Sequence, residues 1–363
     1  MISSLHVSQI RNLHTLDFNF KEGITVFSGK NGSGKTSVLE ILYLLCQGYS
    51  FKTKSLKDLI HWKSEEAIAR IRLNDSTRAI RLQSNSNILA KKGDTESSSA
   101  SFFFGETPAV IMQPADISLV QGAPEERRRY LDEILCLLSP LNTELLRHYR
   151  RVLQQRNQWL RQYRNGQIFG GEDVYAVLTE QFIDLAIRVW RLRIDLSNQL
   201  DPSIQKYYHI LAEGRDKIHC TYRQSIFKDP DAQNLEQSFR EKLEGVEEIE
   251  RKQGVTILGP HKDDLVLWTS GHEFRSVASQ GQSRSAAIAM RFAALDITKK
   301  EKAPSILFLD DIFAELDEHR RRAVANLIKE KHTQVFIATP RLEDLSFDPD
   351  SHISMDSSTS TGK

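Results

Sequence analysis

The sequence predicts an α/β protein in which a sheet-forming region, divided between the two ends of the chain, is interrupted by an inserted helical region. Apolar and polar residues alternate over the first 46 residues, as in half-buried strands, and alternation returns near residue 264. Between them, apolar residues recur at helical spacing from Pro124 onward. We therefore expect residues 1–122 and 254–348 to form the two halves of one domain. Residues 123–253 would form an inserted helical domain, and residues 349–363 would be a disordered tail.

Composition excludes several classes of protein. The chain has 363 residues, 40% of them hydrophobic and 27% charged, which suits a globular protein with a sizeable core. Forty-nine Lys and Arg balance forty-eight Asp and Glu, which excludes a polycation that binds nucleic acid through bulk charge. Three cysteines without a CxxC pair exclude a disulfide framework and a four-cysteine zinc site. Since no signal peptide or membrane-length apolar run occurs, we expect a cytoplasmic protein without a membrane partner.

The predicted elements follow the same order along the chain. Strands over LHV, LDFNF and ITVFSG lead into a helix at SVLEILYLLC, and further strands are expected at 67–73, 79–83 and 109–112. The C-terminal part predicts a helix after Ser279, a strand at 305–309, a helix through 320–329 and a strand at 334–338.

The inserted region predicts two long helices that form an antiparallel hairpin. The first carries an apolar stripe over 138–163, and in the second Leu178, Phe182, Leu185, Val189, Leu192 and Leu196 repeat at spacings of four and three. The glycine-rich segment NGQIFGGE at 165–172 predicts the turn between them. If it is helical from residue 173 to 200, the second helix is on the order of 40 Å long.

A phosphate-binding loop is predicted directly after the strand ITVFS. The segment matches GxxxxGK[ST] in full and opens a helix, so it is more than a glycine-rich turn. Its backbone N–H groups and the helix N-terminus suit a triphosphate, Lys35 suits the outer phosphates, and the Thr36 hydroxyl suits Mg²⁺. The candidate nucleotide-binding residues are Gly29, Lys30, Asn31, Gly32, Ser33, Gly34, Lys35 and Thr36.

Two carboxylates end the apolar run SILFL, which has the length of a buried parallel strand. Such a strand would bring Asp310 and Asp311 to the carboxyl edge of a sheet. Asp310 is then a candidate Mg²⁺ ligand, and Asp311 a candidate to orient or deprotonate the attacking water. The other interpretation, an ordinary solvated turn, becomes the weaker one beside the loop at Gly29.

A third motif, ASQGQ at 278–282, opens the helix that continues through AAIAMRFAALDI. A serine at a helix N-terminus can bind an anion or simply cap the helix, and alone this one favours a cap. It precedes the carboxylate strand by about 25 residues, however, so the three motifs together form an ordered set.

This order resembles the ABC-type ATPase heads of the class that includes SMC proteins. ASQGQ stands where LSGGQ is expected, and AELD at 314–317 follows the carboxylates as the D-loop. Other segments are similar to those of the bacterial RecF family of recombinational repair proteins, namely IRN at 10–12, PADISLVQGAPEERRRYLD at 114–132, GPHKDDL at 259–265 and LDDIFAELDEHRR at 309–321. The resemblance covers nearly the whole chain and implies an ABC-type P-loop ATPase head with a short inserted helical arm.

The resemblance assigns a role to each motif. It implies ATP on residues 29–36, Mg²⁺ on Thr36 and Asp310, and Asp311 in the catalytic acid position. It also implies that three signature residues act on the ATP of a second protomer, so that ATP joins two heads and hydrolysis releases them; they are Ser279, Gly281 and Gln282.

The function that the resemblance implies is an ATP-dependent homodimer that clamps duplex DNA at single-strand gaps. Such a protein would act in DNA replication, repair and the SOS response to DNA damage, would hydrolyse ATP slowly with stimulation by DNA, and would help RecR and RecO to load the recombinase RecA. The alternatives are another SMC-like ATPase of DNA metabolism, a small-molecule P-loop kinase and a transporter-type ABC subunit. The kinase alternative leaves ASQGQ, AELD and the helical hairpin without a role.

Two stretches carry enough local positive charge to contact DNA phosphates. Residues 127–164 have nine Arg against three acidic residues, and residues 49–92 have ten Lys or Arg against four acidic residues. Because no base-reading motif is visible, we expect contacts that do not depend on sequence. Tyr149, Trp159 and Tyr163 fall on the apolar stripe of their helix, which argues against base stacking there.

Four further positions have candidate roles outside these motifs. By the resemblance, Arg11 would lie near the adenine or the phosphates, although a surface arginine is nearly as consistent with its position. Gln113 is a weak Q-loop candidate, and Thr339 stands near the position where transporters have a switch histidine. His261, followed by two aspartates, fits a hydrogen-bonded structural turn better than any metal pattern.

Overall fold

The computed structural model describes residues 1–167, 171–214, 216–226, 235–299, 305–331 and 333–356. In this part of the chain the strands are β1 (Ile2–Ile10), β2 (Leu13–Asn19), β3 (Ile24–Ser28), β4 (Glu66–Leu73), β5 (Ser76–Gln83), β6 (Ile88–Lys92), β7 (Thr95–Ser97), β8 (Ala109–Met112), β9 (His219–Arg223), β10 (Asp264–Thr269), β11 (His272–Glu273), β12 (Ile306–Asp310), β13 (Gln334–Thr339) and β14 (Ser351–Ser354). The helices are α1 (Lys35–Gln47), α2 (Ser118–Gln121), α3 (Pro124–Leu138), α4 (Pro140–Arg164), α5 (Glu172–Leu211), α6 (Leu235–Gln253), α7 (Phe274–Val277), α8 (Gln280–Thr298) and α9 (Glu318–Glu330). Within the same residues, no helix is both long and apolar enough to cross a lipid bilayer.

The chain divides into two compact units. The first unit combines three segments of the chain, Met1–Asp116, Tyr207–Arg215 and Gln280–Lys363, and the second combines Ile117–Lys206 with Asp216–Ser279. The second unit therefore begins six residues before the expected boundary and ends 26 residues after it. The later end follows from strand pairing, since β9 in the inserted region pairs with β10, which lies beyond residue 253.

A parallel five-stranded sheet in the first unit has the order β14-β3-β13-β12-β8. Almost every side chain of its strands β3, β12 and β13 is buried, as expected of a parallel sheet with both faces covered. Strand β12 lies between β13 and β8, and its residues from Ile306 to Leu309 are fully buried. All five strands run in the same direction, so their carboxyl ends meet at one edge of the sheet.

Helix α1 lies between this sheet and the six-stranded antiparallel sheet β2-β1-β4-β5-β6-β7. The helix contacts β8, β12 and β13 on one side and β4 and β5 on the other, which explains why almost every side chain from Ser37 to Gln47 is buried. Glycines in left-handed conformations bound it, Gly34 with φ of 98° and Gly48 with φ of 74°.

The helical hairpin of the second unit is formed by α4 and α5. Trp159 stacks on Tyr175 with ring centroids 4.5 Å apart, and Tyr149 stacks on Phe182 at 5.8 Å, which is an antiparallel arrangement. The predicted end of the second helix at residue 200 is wrong, since α5 continues through Pro202 to Leu211. Apolar spacing continues there through buried residues, namely Ile204, Tyr207, Tyr208 and Leu211. Residues 168–170 of the predicted turn lie outside the described part of the chain.

The predicted disordered tail is also partly wrong. Residues 351–354 form β14, which pairs in parallel with β3 at the edge of the five-stranded sheet, and Met355 is fully buried. An edge strand gains backbone hydrogen bonds whatever its side chains, which is why the polar sequence SHIS did not predict it. Residues 357–363 lie outside the described part of the chain.

A buried ion pair holds α4 against α6 in the second unit. Arg156 and Glu250 are 1% and 0% exposed, and Arg156 Nη2 lies 2.8 Å from Glu250 Oε2. The guanidinium also donates to Tyr175 Oη at 2.7 Å and to Thr256 Oγ1 at 2.7 Å. Removal of the carboxylate would therefore leave a buried charge without its counter-ion.

We expect Glu250→Ala to lower the free energy of unfolding by about 3 kcal/mol, because an uncompensated buried guanidinium remains. Urea unfolding followed by far-ultraviolet circular dichroism measures this loss. Glu248→Ala is the matched control on the same helix, since its exposed pair with Lys252 at 3.8 Å contributes at most about 0.5 kcal/mol. Equal losses in the two variants would mean that the buried pair does not stabilise the unit.

Candidate nucleotide-binding site

The glycine-rich loop connects β3 to α1, as the sequence predicts. Gly29, Gly32 and Gly34 have φ values of 147°, 83° and 98°, a region that other residues rarely adopt. A Cβ on Gly34 would lie 2.4 Å from Leu13 Cδ2, so close packing also requires glycine there. The buried Lys35 donates from Nζ to the carbonyl oxygens of Gly29 at 2.6 Å and Lys30 at 2.9 Å.

The predicted metal ligands lie next to each other. Thr36 Oγ1 donates to Asp310 Oδ1 at 2.8 Å, although 274 positions separate the two residues in the chain. Parallel pairing of β3, β13 and β12 brings them together, because Thr36 follows the loop after β3 and Asp310 ends β12. A hydroxyl beside a carboxylate at this edge is the donor set that Mg²⁺ prefers.

Burial shifts the protonation equilibria of the site. It raises the pKa of the Asp310 carboxyl, against the opposing effects of the Thr36 hydrogen bond and of Lys52 and Lys35. It also raises the pKa of Asp311, and the neighbouring Asp310 charge adds to this increase. Burial lowers the pKa of Lys35, while three carboxylates oppose the change, those of Asp311, Asp356 and Asp310. Asp311 is therefore a better proton acceptor than an ordinary aspartate.

The backbone aims the Asp311 side chain. Its φ of 55° lies in the left-handed region, which aspartate tolerates better than most residues, and its N–H donates to the carbonyl of Ala338 at 2.9 Å. Among the described residues, Asp311 Oδ1 and Ser33 Oγ are buried polar atoms without a hydrogen-bond partner. Such atoms at a phosphate-binding loop fit a polar ligand, and we conclude that the residues present suit a magnesium–nucleotide complex.

The turn between β1 and β2 supports the loop. Asn12 Nδ2 donates to the carbonyl of Gly32 at 2.6 Å. The guanidinium of Arg11 lies 2.8 Å from Glu40 Oε2, one turn of α1 beyond Thr36. Glu40 is 0% exposed and also accepts a hydrogen bond from Ser50 Oγ, so the IRN segment provides the charge that a buried carboxylate needs.

The signature residues lie at the start of α8. Ser279 directly precedes the helix and is exposed, whereas Gly281 and Gln282 are half-buried in its first turn. A Cβ on Gly281 would lie 3.2 Å from Arg320 Nη1, so the small residue makes room for this guanidinium.

Two arginines connect α8 to the D-loop at residues 314–317. Arg320 donates from Nε to Ser285 Oγ of α8 at 2.8 Å and pairs with Asp317, which also caps α9. Arg284 of α8 lies 3.1 Å from Glu315 Oε2 and donates to the Glu315 carbonyl at 3.2 Å. The signature helix and the D-loop are therefore one hydrogen-bonded assembly, which the separate motifs in the sequence did not predict.

The Q-loop candidate Gln113 is connected to α8 through Asp116. Asp116 accepts a hydrogen bond from the Gln113 N–H at 2.9 Å and pairs with Arg291 of α8 at 2.6 Å. At the end of β13, the buried Thr339 donates its hydroxyl to the carbonyl of Arg341 at 3.1 Å. The residue near the position of the transporter switch histidine thus forms a hydrogen bond with the backbone two residues further along the chain.

His261 belongs to a hydrogen-bonded turn in the second unit. Its ring nitrogens lie 3.0 Å from Tyr149 Oη and 3.0 Å from the Thr256 carbonyl oxygen. Burial lowers the pKa of His261 to about 4, so the ring is neutral near pH 7. The described residues contain no group of three or more His, Cys, Asp or Glu side chains that could hold a metal ion.

The family follows from the whole-chain comparison. The model of the RecF/RecN/SMC N-terminal domain matches residues 1–356, which include the loop at Gly29, the carboxylates of β12 and the signature helix. The chain belongs to this family. The predicted fold class is confirmed, since the chain has the ABC-type ATPase head fold of the SMC and RecF kind.

Curated relatives narrow the resemblance to RecF. The chain is 32% identical over 345 residues to the DNA replication and repair protein RecF of Listeria monocytogenes serotype 4b (strain CLIP80459), covering 93% of this chain and 92% of the relative. It is 33% identical over 354 residues to the RecF protein of Symbiobacterium thermophilum, covering 95% and 92%. The resemblance found in the motifs is thus confirmed over nearly the full length.

Solved structures agree with this assignment. The recombination mediator protein RecF, solved with ATP in the RecFOR pathway, superposes with a TM-score of 0.86 at 26% identity and covers 97% of this chain and 95% of its own. An Smc head bound to the C-terminal winged-helix domain of ScpA has a TM-score of 0.57 at 15% identity and covers 97% and 93%. The second likeness shows the shared fold alone.

We expect Asn12→Ala to weaken ATP binding about fivefold, because loss of one hydrogen bond to the Gly32 carbonyl costs about 1 kcal/mol. Isothermal titration with ATP and Mg²⁺ measures the change. Thr15→Ala serves as the control, since Thr15 is exposed on the same hairpin and its hydroxyl lies 3.5 Å from that of Ser8. Unchanged affinity in Asn12→Ala would show that the IRN turn does not support the loop.

Proposed function

We propose that this protein is an ATP-switched, DNA-binding protein of replication and recombinational repair whose two copies close around duplex DNA at single-strand gaps. The observation that carries the proposal is the assembly of the signature helix and the D-loop through Arg284 and Arg320. Ser279 and the D-loop residues Ala314, Glu315 and Asp317 are exposed, so a second copy with its nucleotide could cover them.

Different residues of the head would bind the phosphates, hold the metal ion and activate the attacking water. Backbone N–H groups of residues 29–36 and the ammonium of Lys35 would hold the phosphates, with Thr36 and Asp310 holding Mg²⁺. The metal, when bound, neutralises charge on the phosphates. Asp311 would accept the proton of the attacking water, which its raised pKa favours.

The switch comes from sharing this nucleotide between two copies. Ser279, Gly281 and Gln282 of one copy would contact the phosphates bound by the other, so ATP stabilises the dimer and hydrolysis releases it. Arg320 lies beside Gly281 and pairs with Asp317. It therefore connects the signature helix directly to the D-loop, which follows Asp311 in the chain. We expect turnover to be slow and stimulated by DNA, because the nucleotide acts as a timer for the dimer.

The DNA-binding surface is best placed on the outward face of the six-stranded sheet. Arg70 and Arg72 of β4, Arg81 of β5 and Lys91 of β6 are exposed at alternating positions of three paired strands. Arg81 lies 3.5 Å from Glu66 Oε2 and Lys91 lies 3.2 Å from Glu96 Oε1, and DNA phosphates can compete with such exposed ion pairs. Such a row of cations suits phosphates without reading sequence.

The second predicted surface, at residues 127–164, is weaker than its charge suggests. Arg127 is buried against Asp264 at 2.6 Å, Arg156 is paired with Glu250, and Arg128 donates to the Asp263 carbonyl at 2.7 Å. These three arginines hold the second unit together, whereas the other six arginines of the stretch are exposed. Trp159 and Tyr149 are buried as well, whereas Trp62 beside the sheet region is 82% exposed with Lys63 Nζ 4.4 Å from its ring.

The remaining partners follow from the relatives. A solved RecF protein is described as a recombination mediator of the RecFOR pathway, and we infer that this chain likewise acts with RecR and RecO to load RecA. The family match favours this function over the small-molecule kinase and the transporter subunit, because the signature helix, the D-loop and the arm then all have a role.

With ATP and Mg²⁺, we expect the wild-type protein to form dimers, and both Lys35→Ala and Ser279→Arg to remain monomeric. Lys35→Ala removes the phosphate contact, and the arginine at 279 sterically blocks the shared face. Light scattering gives the mass, with and without gapped duplex DNA. Asp311→Asn should dimerise and dissociate more slowly than wild type, because it binds ATP without hydrolysing it.

Ser84→Arg adds the same charge at another exposed serine, and it should dimerise like the wild type. If the wild type stays monomeric in every condition, or if Ser279→Arg dimerises normally, the shared-nucleotide mechanism is wrong.

We expect Arg70→Ala combined with Arg72→Ala to weaken binding to duplex DNA and to reduce the slope of log K against log salt by about two, since two phosphate contacts are lost. Fluorescence anisotropy across a salt series measures both quantities. The comparison variant is Arg147→Ala with Arg151→Ala, which removes two exposed charges from α4 of the arm. A larger slope change in the arm variant would place the DNA there and reject the sheet face.

A further inference from the structure

The C-terminal segment 350–356 runs along β3, the strand that leads into the glycine-rich loop. In β14, Ser351 pairs with Thr25 and Ser354 with Ser28, and the Met355 N–H continues the pattern by donating to the Ser28 carbonyl at 2.8 Å. His352 Nε2 lies 2.8 Å from Ser28 Oγ. The segment therefore follows β3 from its first residue to its last.

A glycine and a tail carboxylate meet at each end of β3. Before the strand, Asp350 Oδ2 accepts the Ile24 N–H at 2.8 Å, and a Cβ on Gly23 would lie 2.2 Å from the same oxygen. After the strand, Asp356 Oδ1 accepts the Lys30 N–H at 2.8 Å, and a Cβ on Gly29 would lie 2.9 Å from it. Both glycines have positive φ, so each end of the strand is shaped to receive an aspartate.

The second of these contacts fixes a peptide group of the nucleotide site. The Lys30 N–H is held by Asp356, while the carbonyls of Gly29 and Lys30 accept hydrogen bonds from Lys35 Nζ. The first turn of the loop is thus held between a tail carboxylate and the lysine of its own motif. Loss of the carboxylate would let this turn rotate and would misplace the N–H groups that follow it.

We propose that Asp356 is a positioning residue for nucleotide binding, and that segment 350–356 is a strap that holds the glycine-rich loop in its binding conformation. The proposal rests on the proposed function, since it assumes that the loop binds ATP. Asp356 acts on the loop backbone through a charge-assisted hydrogen bond, the stronger class of such bonds. It therefore contributes to affinity for nucleotide and not to the chemical step.

The test compares Asp356→Ala with Asp356→Asn in the full-length protein. We expect the alanine variant to bind ATP with Mg²⁺ about tenfold more weakly, whereas the asparagine variant, which keeps an acceptor oxygen, stays within about threefold of wild type. The KM for ATP should rise in the alanine variant while kcat at saturating ATP stays near the wild-type value. Asp348→Ala removes an exposed tail carboxylate outside the strap and should change neither quantity.

The outcomes separate this proposal from the proposed function. We expect Lys35→Ala not to bind ATP. If the wild-type protein also fails to bind ATP, the proposed function is wrong. If the wild type binds ATP and Asp356→Ala binds it equally well, only the strap is wrong. Tighter ATP binding by Asp356→Ala would show that Asp356 repels the phosphates. Equal weakening of ATP binding in Asp356→Ala and Asp356→Asn would assign the effect to the lost charge. Either result overturns the positioning role.

Discussion

Parallel pairing of β3, β13 and β12 is the constraint on which the rest of the structure depends. It places the loop after β3 and the carboxylates at the end of β12 on one edge of a sheet, where Thr36 and Asp310 form a hydrogen bond across 274 positions. The inserted region must therefore leave and re-enter the sheet without disturbing that pairing. Helix α1, buried between two sheets, fixes the height of the loop above the edge.

Several charged side chains lie at this edge of the sheet, where burial limits their solvation. Asp310, Asp311 and Asp356 surround the buried Lys35, and burial raises the pKa of Asp310 and Asp311 while it lowers that of Lys35. A magnesium–nucleotide complex brings charges of both signs, so it matches a site that contains both. The same burial explains why the supporting hairpin carries Arg11, since the fully buried Glu40 needs a cation beside it.

Local patterns in the sequence were enough to predict the glycine-rich loop, β12 and the signature helix, because strand and helix periodicity flank each motif directly. The later end of the inserted unit and the strand at 351–354 depend on pairing with distant segments, which alternation in one stretch cannot reveal. Charge counting over 127–164 overstates the exposed positive charge for a related reason. Arg127 and Arg156 have buried acidic partners, Asp264 and Glu250, that lie about 100 residues or more along the chain.

The strap and the D-loop assembly show the same principle at the two ends of the site. A short motif supplies chemistry, but residues outside it decide its conformation: Asp356 holds the loop, and Arg284 and Arg320 hold the D-loop against α8. Both supports are charge-assisted hydrogen bonds that lie outside the strand pairing, so either can break while the sheet stays paired. In the proposed mechanism, the glycine-rich loop would respond to a nucleotide and the D-loop to a second subunit, while the sheet stays fixed.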